Sequence, residues 1–172
     1  MAAEDFAQHA LAILEPASAP APTVGTDAIR AVAKDSPRAL RILVAEDNPV
    51  NQKLIHRLLE RDGHSVHLTG NGRECLDALA QQPFDLVLMD MQMPEMSGIE
   101  ASARIRELER GTGQRIPILA LTANAGAEDR DACFRAGMDD ILTKPVAVPK
   151  LRAAIDHFGA RADAPKESNH DA

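Results

Sequence analysis

The sequence predicts an α/β protein in which five parallel strands form one sheet with helices on both of its faces. Five short apolar runs alternate with longer amphipathic stretches between residues 40 and 158, a pattern typical of repeated strand–helix units. The central run, residues 84–89, is almost continuously apolar, which suits a strand buried on both faces of a parallel sheet. The length of 172 residues leaves room for one such domain and its terminal segments.

The predicted strands are short and mostly apolar. The first, LRILVA, stops at the acidic pair Glu46 and Asp47, and the third stops at Asp90. The fourth, IPILAL, leads into Thr122, and the fifth, DILT, leads into Lys144. In chain order, the strands are predicted over residues 40–45, 66–68, 84–89, 116–121 and 140–143.

Helices are predicted where apolar residues recur at spacings of three and four. Asn48 and Pro49 supply the cap and the first position of the first helix, which stops at Gly63, and Asn71–Gly72 opens the second. The fourth helix, over about residues 125–136, is Ala-rich. The residues predicted to face inward are Leu54, Ile55, Leu58 and Leu59 in the first helix, Cys75, Leu76 and Leu79 in the second, Ala101, Ile105 and Leu108 in the third, and Val148, Leu151, Ile155 and Phe158 in the last.

Two terminal segments differ in composition from this domain, which we place at residues 39–158. Residues 1–38 are rich in Ala and Pro, above all in PASAPAPT at 16–23, and are predicted to form a largely disordered linker with room for one short helix. Residues 159–172 are polar and are predicted to be a disordered tail.

Composition narrows the class of protein. A net charge of −7 and a pI near 5.3 argue against a nucleic-acid-binding face. No apolar run approaches the roughly 20 residues needed to cross a membrane, and the N-terminus has no secretory signal pattern. Cys75 and Cys133 have no metal-binding spacing and are interpreted as buried thiols in a reducing compartment. We therefore expect a soluble, cytoplasmic protein without direct contact to membrane or nucleic acid.

The polar residues that end the strands predict a shared site. A parallel sheet brings the carboxyl ends of its strands to one edge, where ligands bind in open α/β sheets. Three carboxylates gathered there would repel, at a cost of about 4 kcal/mol for two charges about 4 Å apart at an effective dielectric of about 20. Mg²⁺ would relieve this repulsion, because it binds a few carboxylate oxygens and keeps several waters. The Lys144 charge and the Thr122 hydroxyl could then bind an anion, which together describes phosphoryl transfer with Asp90 as nucleophile.

Four motifs carry a resemblance to a known family. EDNPVNQ at 46–52, MDMQMPEMSG at 89–98, LTAN at 121–124 and TKP at 143–145 resemble the receiver domain of two-component response regulators, most closely the receivers of hybrid sensor histidine kinases. The resemblance covers residues 40–158 and implies a flavodoxin-like (CheY-like), doubly wound sheet with strand order 2-1-3-4-5. It also implies a phosphoacceptor, not an enzyme beyond its own phosphorylation and dephosphorylation, which receives its phosphoryl group from a histidine kinase or a histidine phosphotransfer protein.

The resemblance also implies roles for individual residues. Asp90 would accept the phosphoryl group, and Thr122 and Lys144 would contact its oxygens. A cis bond between Lys144 and Pro145 would aim the lysine over the strand ends. The implied Mg²⁺ ligands are Asp47 and Asp90 directly, Glu46 through water, and Gln92 through its backbone carbonyl.

One position departs from the family pattern. Receivers usually carry an aromatic residue three positions before the lysine, and this chain has Ile141 there, which puts the usual conformational switch in doubt.

Three other interpretations remain: a haloacid-dehalogenase-like phosphatase, a pseudo-receiver that serves only as an interaction module, and ordinary strand-end polar residues without chemistry. Gln92 argues against the first, because that family needs a second Asp at this position. The intact acidic cluster argues against the pseudo-receiver. Ordinary strand-end residues would explain one or two of the polar groups, but not five at consistent strand ends.

Overall fold

The computed structural model describes residues 38–161, so the predictions for the linker before residue 38 and for the tail after residue 161 lie outside the described residues. Five strands and five helices alternate along this part of the chain. The strands are β1 (Arg41–Ala45), β2 (Ser65–Thr69), β3 (Leu86–Asp90), β4 (Ile118–Thr122) and β5 (Asp140–Thr143). The helices are α1 (Pro49–Arg61), α2 (Gly72–Gln81), α3 (Gly98–Glu109), α4 (Ala127–Arg135) and α5 (Val148–Arg161).

All five strands belong to one parallel sheet in the order β2-β1-β3-β4-β5. In its middle, β1 and β3 pair Ile42 with Leu86, and β3 and β4 pair Leu88 with Leu119. Every residue of β3 and β4 is buried, as the apolar runs predicted. The predicted fold and strand order are therefore confirmed.

The sheet separates two hydrophobic cores, because successive strand residues point to opposite faces. On one face, Ile42 and Leu88 pack with residues of α1 and α5, among them Leu59 and Ile155. The second core joins the other face of the sheet to α2, α3 and α4 through Leu43, Val87, Cys75, Ala101, Ile105 and Cys133. Both cysteines are free and buried, and burial raises the pKa of the Cys75 thiol to about 12. None of the helices in residues 38–161 is long and apolar enough to span a bilayer.

Two leucines predicted to face inward lie on the surface instead. Leu54 is 62% exposed, because α1 buries Ile55 and Leu59, and Leu54 lies to one side of the stripe that these two define. Leu108 is 70% exposed and lies in the last turn of α3, beyond Ile105, the last buried residue of that helix. Val148, the first residue of α5, was also predicted to face inward and is 37% exposed. All three predictions were wrong because spacing alone does not fix where the edges of an apolar stripe lie.

Several predicted boundaries also shift. β4 begins at Ile118, two residues late, because Pro117 has no N–H to give to the sheet, although its carbonyl still accepts from Val87 N–H at 2.9 Å. β3 begins at Leu86 and not at the predicted residue 84. β2 covers Ser65–Thr69, which is longer than the predicted range 66–68. The helix α4 is shorter than predicted at both ends.

The last helix continues three residues beyond the predicted domain end at residue 158. Gly159 does not stop α5, since it is buried and its backbone packs against the side chain of Leu40. A Cβ at this position would lie 2.7 Å from Leu40 Cδ1. The carboxyl end of the last helix thus packs against the residue that precedes β1, and the predicted tail boundary was wrong by one helical turn.

Candidate functional site

Polar side chains gather at the carboxyl edge of the sheet. Glu46 directly follows β1, Asp90 and Thr122 are the last residues of β3 and β4, and Lys144 directly follows β5. One carboxylate oxygen from each of Glu46, Asp47 and Asp90 lies within 4.8 Å of the others. Among residues 38–161, no other three His, Cys, Asp or Glu side chains are arranged in this way. The structure therefore brings together the acidic residues that the strand ends predicted.

Lys144 reaches into this acidic cluster from β5. Its Nζ donates a hydrogen bond to Asp90 Oδ2 at 2.7 Å and lies 2.8 Å from Glu46 Oε2. Its backbone N–H donates to the Thr122 carbonyl at 2.7 Å, and the bond to Pro145 is cis, as the resemblance implied. Burial opposes the charge on Lys144, but the hydrogen bond to Asp90 and the nearby negative charges of Asp90 and Glu46 outweigh it and raise the pKa of the lysine. Lys144 is therefore a cation at neutral pH.

Glu46 is an unusual residue to find fully buried. Its Oε1 accepts from Asn48 N–H at 3.1 Å. Its Oε2 lies within ion-pair distance of Lys144, yet it receives no hydrogen bond of proper geometry. Among residues 38–161, these three carboxylates face a single ammonium group, so this part of the chain gives the site a formal excess of two negative charges. A divalent cation fits this donor set in charge and in ligand type.

The backbone around Asp90 leaves little freedom to its side chain. Asp90 is 5% exposed, and its Oδ1 accepts from Gln92 N–H at 3.1 Å. Gly98, the first residue of α3, lies so close that a Cβ would collide with the Asp90 carbonyl, and its N–H donates to the Met91 carbonyl at 3.1 Å. Between them, Glu95 adopts a positive φ of 65°, which is uncommon for a residue other than glycine.

The Thr122 hydroxyl is turned towards the loop that follows β4. It donates to the Asn124 carbonyl at 2.6 Å and accepts from Asn124 N–H at 3.1 Å. Thr122 thus lies at the predicted edge of the sheet, but in this conformation its hydroxyl proton is donated to the Asn124 carbonyl of the loop. Ala123, between them, is exposed, so the entrance next to Thr122 is open.

Gln52 is a site-adjacent residue to which sequence reasoning gave no role. It lies in the first turns of α1, and its side-chain amide donates to the Glu46 carbonyl at 2.6 Å and to the Thr69 carbonyl at 3.3 Å. Its position in EDNPVNQ, one helical turn after Asn48, was the available signal. The backbone carbonyls that it binds cannot be identified from sequence.

The sequence from residue 42 to residue 156 matches the family model of the response regulator receiver domain. Among curated proteins, the chain is 46% identical over 117 residues to the hybrid signal transduction protein dokA of Dictyostelium discoideum. This alignment covers 68% of the present chain but only 7% of the relative. The chain therefore spans a small part of that protein.

Two solved structures share the fold. One is the receiver domain of a sensor histidine kinase from Pseudomonas aeruginosa PAO1, with a magnesium ion coordinated in its active-site cleft; it has a TM-score of 0.65 and 38% identity, covering 72% of this chain and 99% of that one. The other is the receiver domain of the response regulator Ssk1 from Saccharomyces cerevisiae, crystallised with the histidine phosphotransfer protein Ypd1. Its TM-score is 0.68 and its identity 32%, covering 74% of this chain and 96% of that one.

Proposed function

The chain belongs to the response regulator receiver domain family, and on that premise we propose that it is a phosphoacceptor of a two-component phosphorelay. Asp90 takes a phosphoryl group from a phosphohistidine of a partner protein, and the phosphorylated domain then relays the group or signals by protein contact. The observation that carries this proposal is the buried Asp90 carboxylate, which accepts a hydrogen bond from Lys144 and lies beside the carboxylates of Glu46 and Asp47.

The residues of the acidic cluster would hold Mg²⁺. We propose Asp47 and Asp90 as direct ligands, Glu46 as a ligand through water and Gln92 as a ligand through its backbone carbonyl. Apart from its ion pair with Lys144, the buried Glu46 Oε2 receives no hydrogen bond of proper geometry, and this supports a cation at this place because a buried charge needs hydrogen-bonding or charged partners. When bound, Mg²⁺ would neutralise charge on the phosphoryl oxygens and on the carboxylates.

The transfer itself needs one nucleophile and groups that bind oxygen. A carboxylate oxygen of Asp90 forms a bond to phosphorus, and the bond from phosphorus to the histidine nitrogen breaks, with its electron pair returning to the imidazole. Lys144 is already beside Asp90 and would bind a phosphoryl oxygen through its charge. Thr122 would donate its hydroxyl proton to another oxygen, which requires that it leave the Asn124 carbonyl.

The partner is proposed from chemistry and from the relatives. A phosphohistidine on a histidine kinase or on a histidine phosphotransfer protein is the donor that this site would take, and the Ssk1 receiver was crystallised with a phosphotransfer protein. We propose a cytoplasmic location, no direct contact with nucleic acid or membrane, and no enzymatic activity beyond self-phosphorylation and self-dephosphorylation. The comparisons give no support to the dehalogenase-like alternative.

The test is phosphorylation by a small donor. With acetyl phosphate and Mg²⁺, the intact protein should gain one phosphoryl group by mass spectrometry. Asp90→Asn should abolish this gain because the nucleophile is lost, and EDTA should prevent it in the unchanged protein. Asp77→Asn, an exposed carboxylate on α2, is the matched control and should be labelled normally. Labelling of the Asp90→Asn protein at the normal level would refute the assignment.

A further inference from the structure

We propose that Gln52 is a positioning residue for the metal ligands Glu46 and Asp47, and that it sets the affinity of the site for Mg²⁺. This inference rests on the proposed function, since it assigns a role towards the cation that the acidic cluster would hold. Within residues 38–161, the Gln52 side chain makes no hydrogen bond with Asp90 or Lys144, and its bonds to backbone carbonyls are the route by which it would act on the site.

The amide of Gln52 ties three elements together. Its Nε2 is 2.6 Å from the carbonyl oxygen of Glu46, at the end of β1, and 3.3 Å from that of Thr69, at the end of β2. Both partners are carbonyl oxygens, which only accept, so the NH₂ group must face them and both of its protons are used. Gln52 itself is fixed on α1, where its backbone N–H donates to the Asn48 carbonyl at 3.0 Å.

Few other hydrogen bonds restrain the segment between β1 and α1, which carries Glu46 and Asp47. Glu46 N–H donates to the same Thr69 carbonyl at 3.0 Å, and Asn48 N–H donates to the Glu46 side chain at 3.1 Å. Asp47 lies between these residues with an exposed side chain, so the backbone on either side determines where its carboxylate points. The Glu46 carbonyl belongs to the peptide group that leads into Asp47, and Gln52 is the donor that fixes this group.

Removing the amide should therefore loosen the metal ligands without removing any of them. Partners that orient metal ligands typically change metal affinity by about 10- to 100-fold when they are substituted. We expect an effect of about tenfold on the dissociation constant for Mg²⁺. Chemistry at Asp90 should survive once Mg²⁺ is saturating, because the nucleophile and Lys144 are untouched.

The experiment uses Gln52→Met, which keeps the length of the side chain and loses both donors. Gln81→Met, an exposed glutamine at the end of α2, is the matched control. Mg²⁺ binding to the full chain is followed by NMR titration of the amides near Asp90, and acetyl phosphate labelling is measured across Mg²⁺ concentrations. Gln52→Met should need about tenfold more Mg²⁺ in both measurements and reach the unchanged maximum, while Gln81→Met should match the original chain. A residue that merely supported the fold would lower stability and leave the Mg²⁺ affinity of the folded protein as it was.

A second measurement does not depend on any variant. In the unchanged chain, the Gln52 side-chain NH₂ protons should exchange with solvent more slowly than those of Gln81. Equal exchange rates, or equal Mg²⁺ affinity in the original and Gln52→Met proteins, would overturn the inference and leave the proposed function standing. Absence of Mg²⁺ binding and of labelling in the original chain would instead overturn the proposed function and this inference with it.

Discussion

At the scale of single residues, the contact between Gly98 and Asp90 limits what position 98 can hold. A Cβ added at Gly98 would overlap with the backbone carbonyl of Asp90 and crowd the side chain of Met89. This crowding involves main chain on one side, which cannot rotate away as a flexible side chain could. The close approach of α3 to the end of β3 is thus part of how Asp90 is held.

Gly98→Ala should therefore destabilise the domain and disturb the site. Overpacking of a tight contact typically costs about 1–3 kcal/mol, and we expect a loss in this range from urea unfolding followed by circular dichroism. Labelling of the folded fraction by acetyl phosphate should also slow, since relief of the overlap moves Asp90. Gly70→Ala is the control, because a Cβ there meets its nearest neighbour, Glu74 Oε2, at an ordinary 3.5 Å. Equal stability of the two variants would show that the backbone at Asp90 can yield.

The residues that could be predicted from the sequence are those whose role follows from a strand end. Asp90 and Glu46 stand where apolar runs stop, and topology alone then brings them together. Gln52 and Asn124 could not be predicted, because their partners are backbone carbonyls whose positions depend on the folded loops. The Thr122 hydroxyl was predicted in place, but its bond to Asn124 depends on the same loop geometry.

At the scale of elements, a bidentate ion pair joins α5 to the end of α1. Arg152 donates from Nε and Nη2 to the two carboxylate oxygens of Asp62, both at 2.7 Å. The hydrogen bonds to Arg152 lower the pKa of Asp62 below its usual 3.8. The pair links the last helix to the cap of the first, on the face of the sheet that these two helices share.

This pair should give the stability a defined dependence on pH. The pKa of Asp62 is lower in the folded state than in the unfolded state. The stabilisation of the folded state by this carboxylate is therefore complete above the unfolded pKa and is lost as the pH falls through the folded pKa. Asp62→Asn should lower the urea midpoint at pH 7, and its difference from the unchanged chain should narrow only below about pH 4. Asp77→Asn is the control and should show no such trend. A difference that stays constant into acid would mean that the ionised carboxylate is not what stabilises the contact.

In β5, Ile141 stands where receivers usually carry an aromatic residue. This position bears on how a change at Asp90 is transmitted to the rest of the domain. Ile141 is half-buried and packs against the second core, the one shared with α4. Its β-branched side chain is stiff and makes similar contacts in any state, whereas a two-state readout needs contacts that differ. Little of a change at Asp90 should then pass through this position.

We expect the response to phosphorylation to stay near the site. In NMR spectra with Mg²⁺ alone and with Mg²⁺ and beryllofluoride, shifts should concentrate at Asp90, Thr122 and Lys144 and fade along α5. Ile141→Val keeps the branched side chain and should preserve this distribution. Large, uniform shifts along α5 would show that the switch operates without its aromatic residue.

Most of the fold was predictable at this scale, and the errors have a common cause. The alternation of strands and helices predicted a parallel sheet with helices on both faces, whereas the strand order was implied by the resemblance to receiver domains. The exposed Leu54 and Leu108, and the extension of α5 through Gly159, were missed because they depend on which neighbour covers a given turn. Leu40 packs against Gly159, and no local sequence pattern predicts that contact.

At the scale of the whole molecule, the excess charge of the site should couple Mg²⁺ to folding. A ligand that binds only the folded state stabilises it by about 2.7 kcal/mol at 100 times its dissociation constant. Mg²⁺ should therefore raise the unfolding midpoint, and EDTA should reverse the effect. Asp47→Asn should show much less stabilisation because it removes a ligand, whereas Asp77→Asn should respond like the unchanged chain. An unfolding midpoint that does not depend on Mg²⁺ would contradict a metal site in this cluster.

The packing of Gly159 against Leu40 also fixes where the described chain enters and leaves the domain. Leu40 precedes β1 and therefore lies at the amino edge of the sheet, and α5 returns to that edge after starting beside the site. Both junctions with flanking polypeptide thus lie together, on the side away from Asp90. Chain ends that lie close together at the surface are where the insertion of a domain into a longer polypeptide is tolerated.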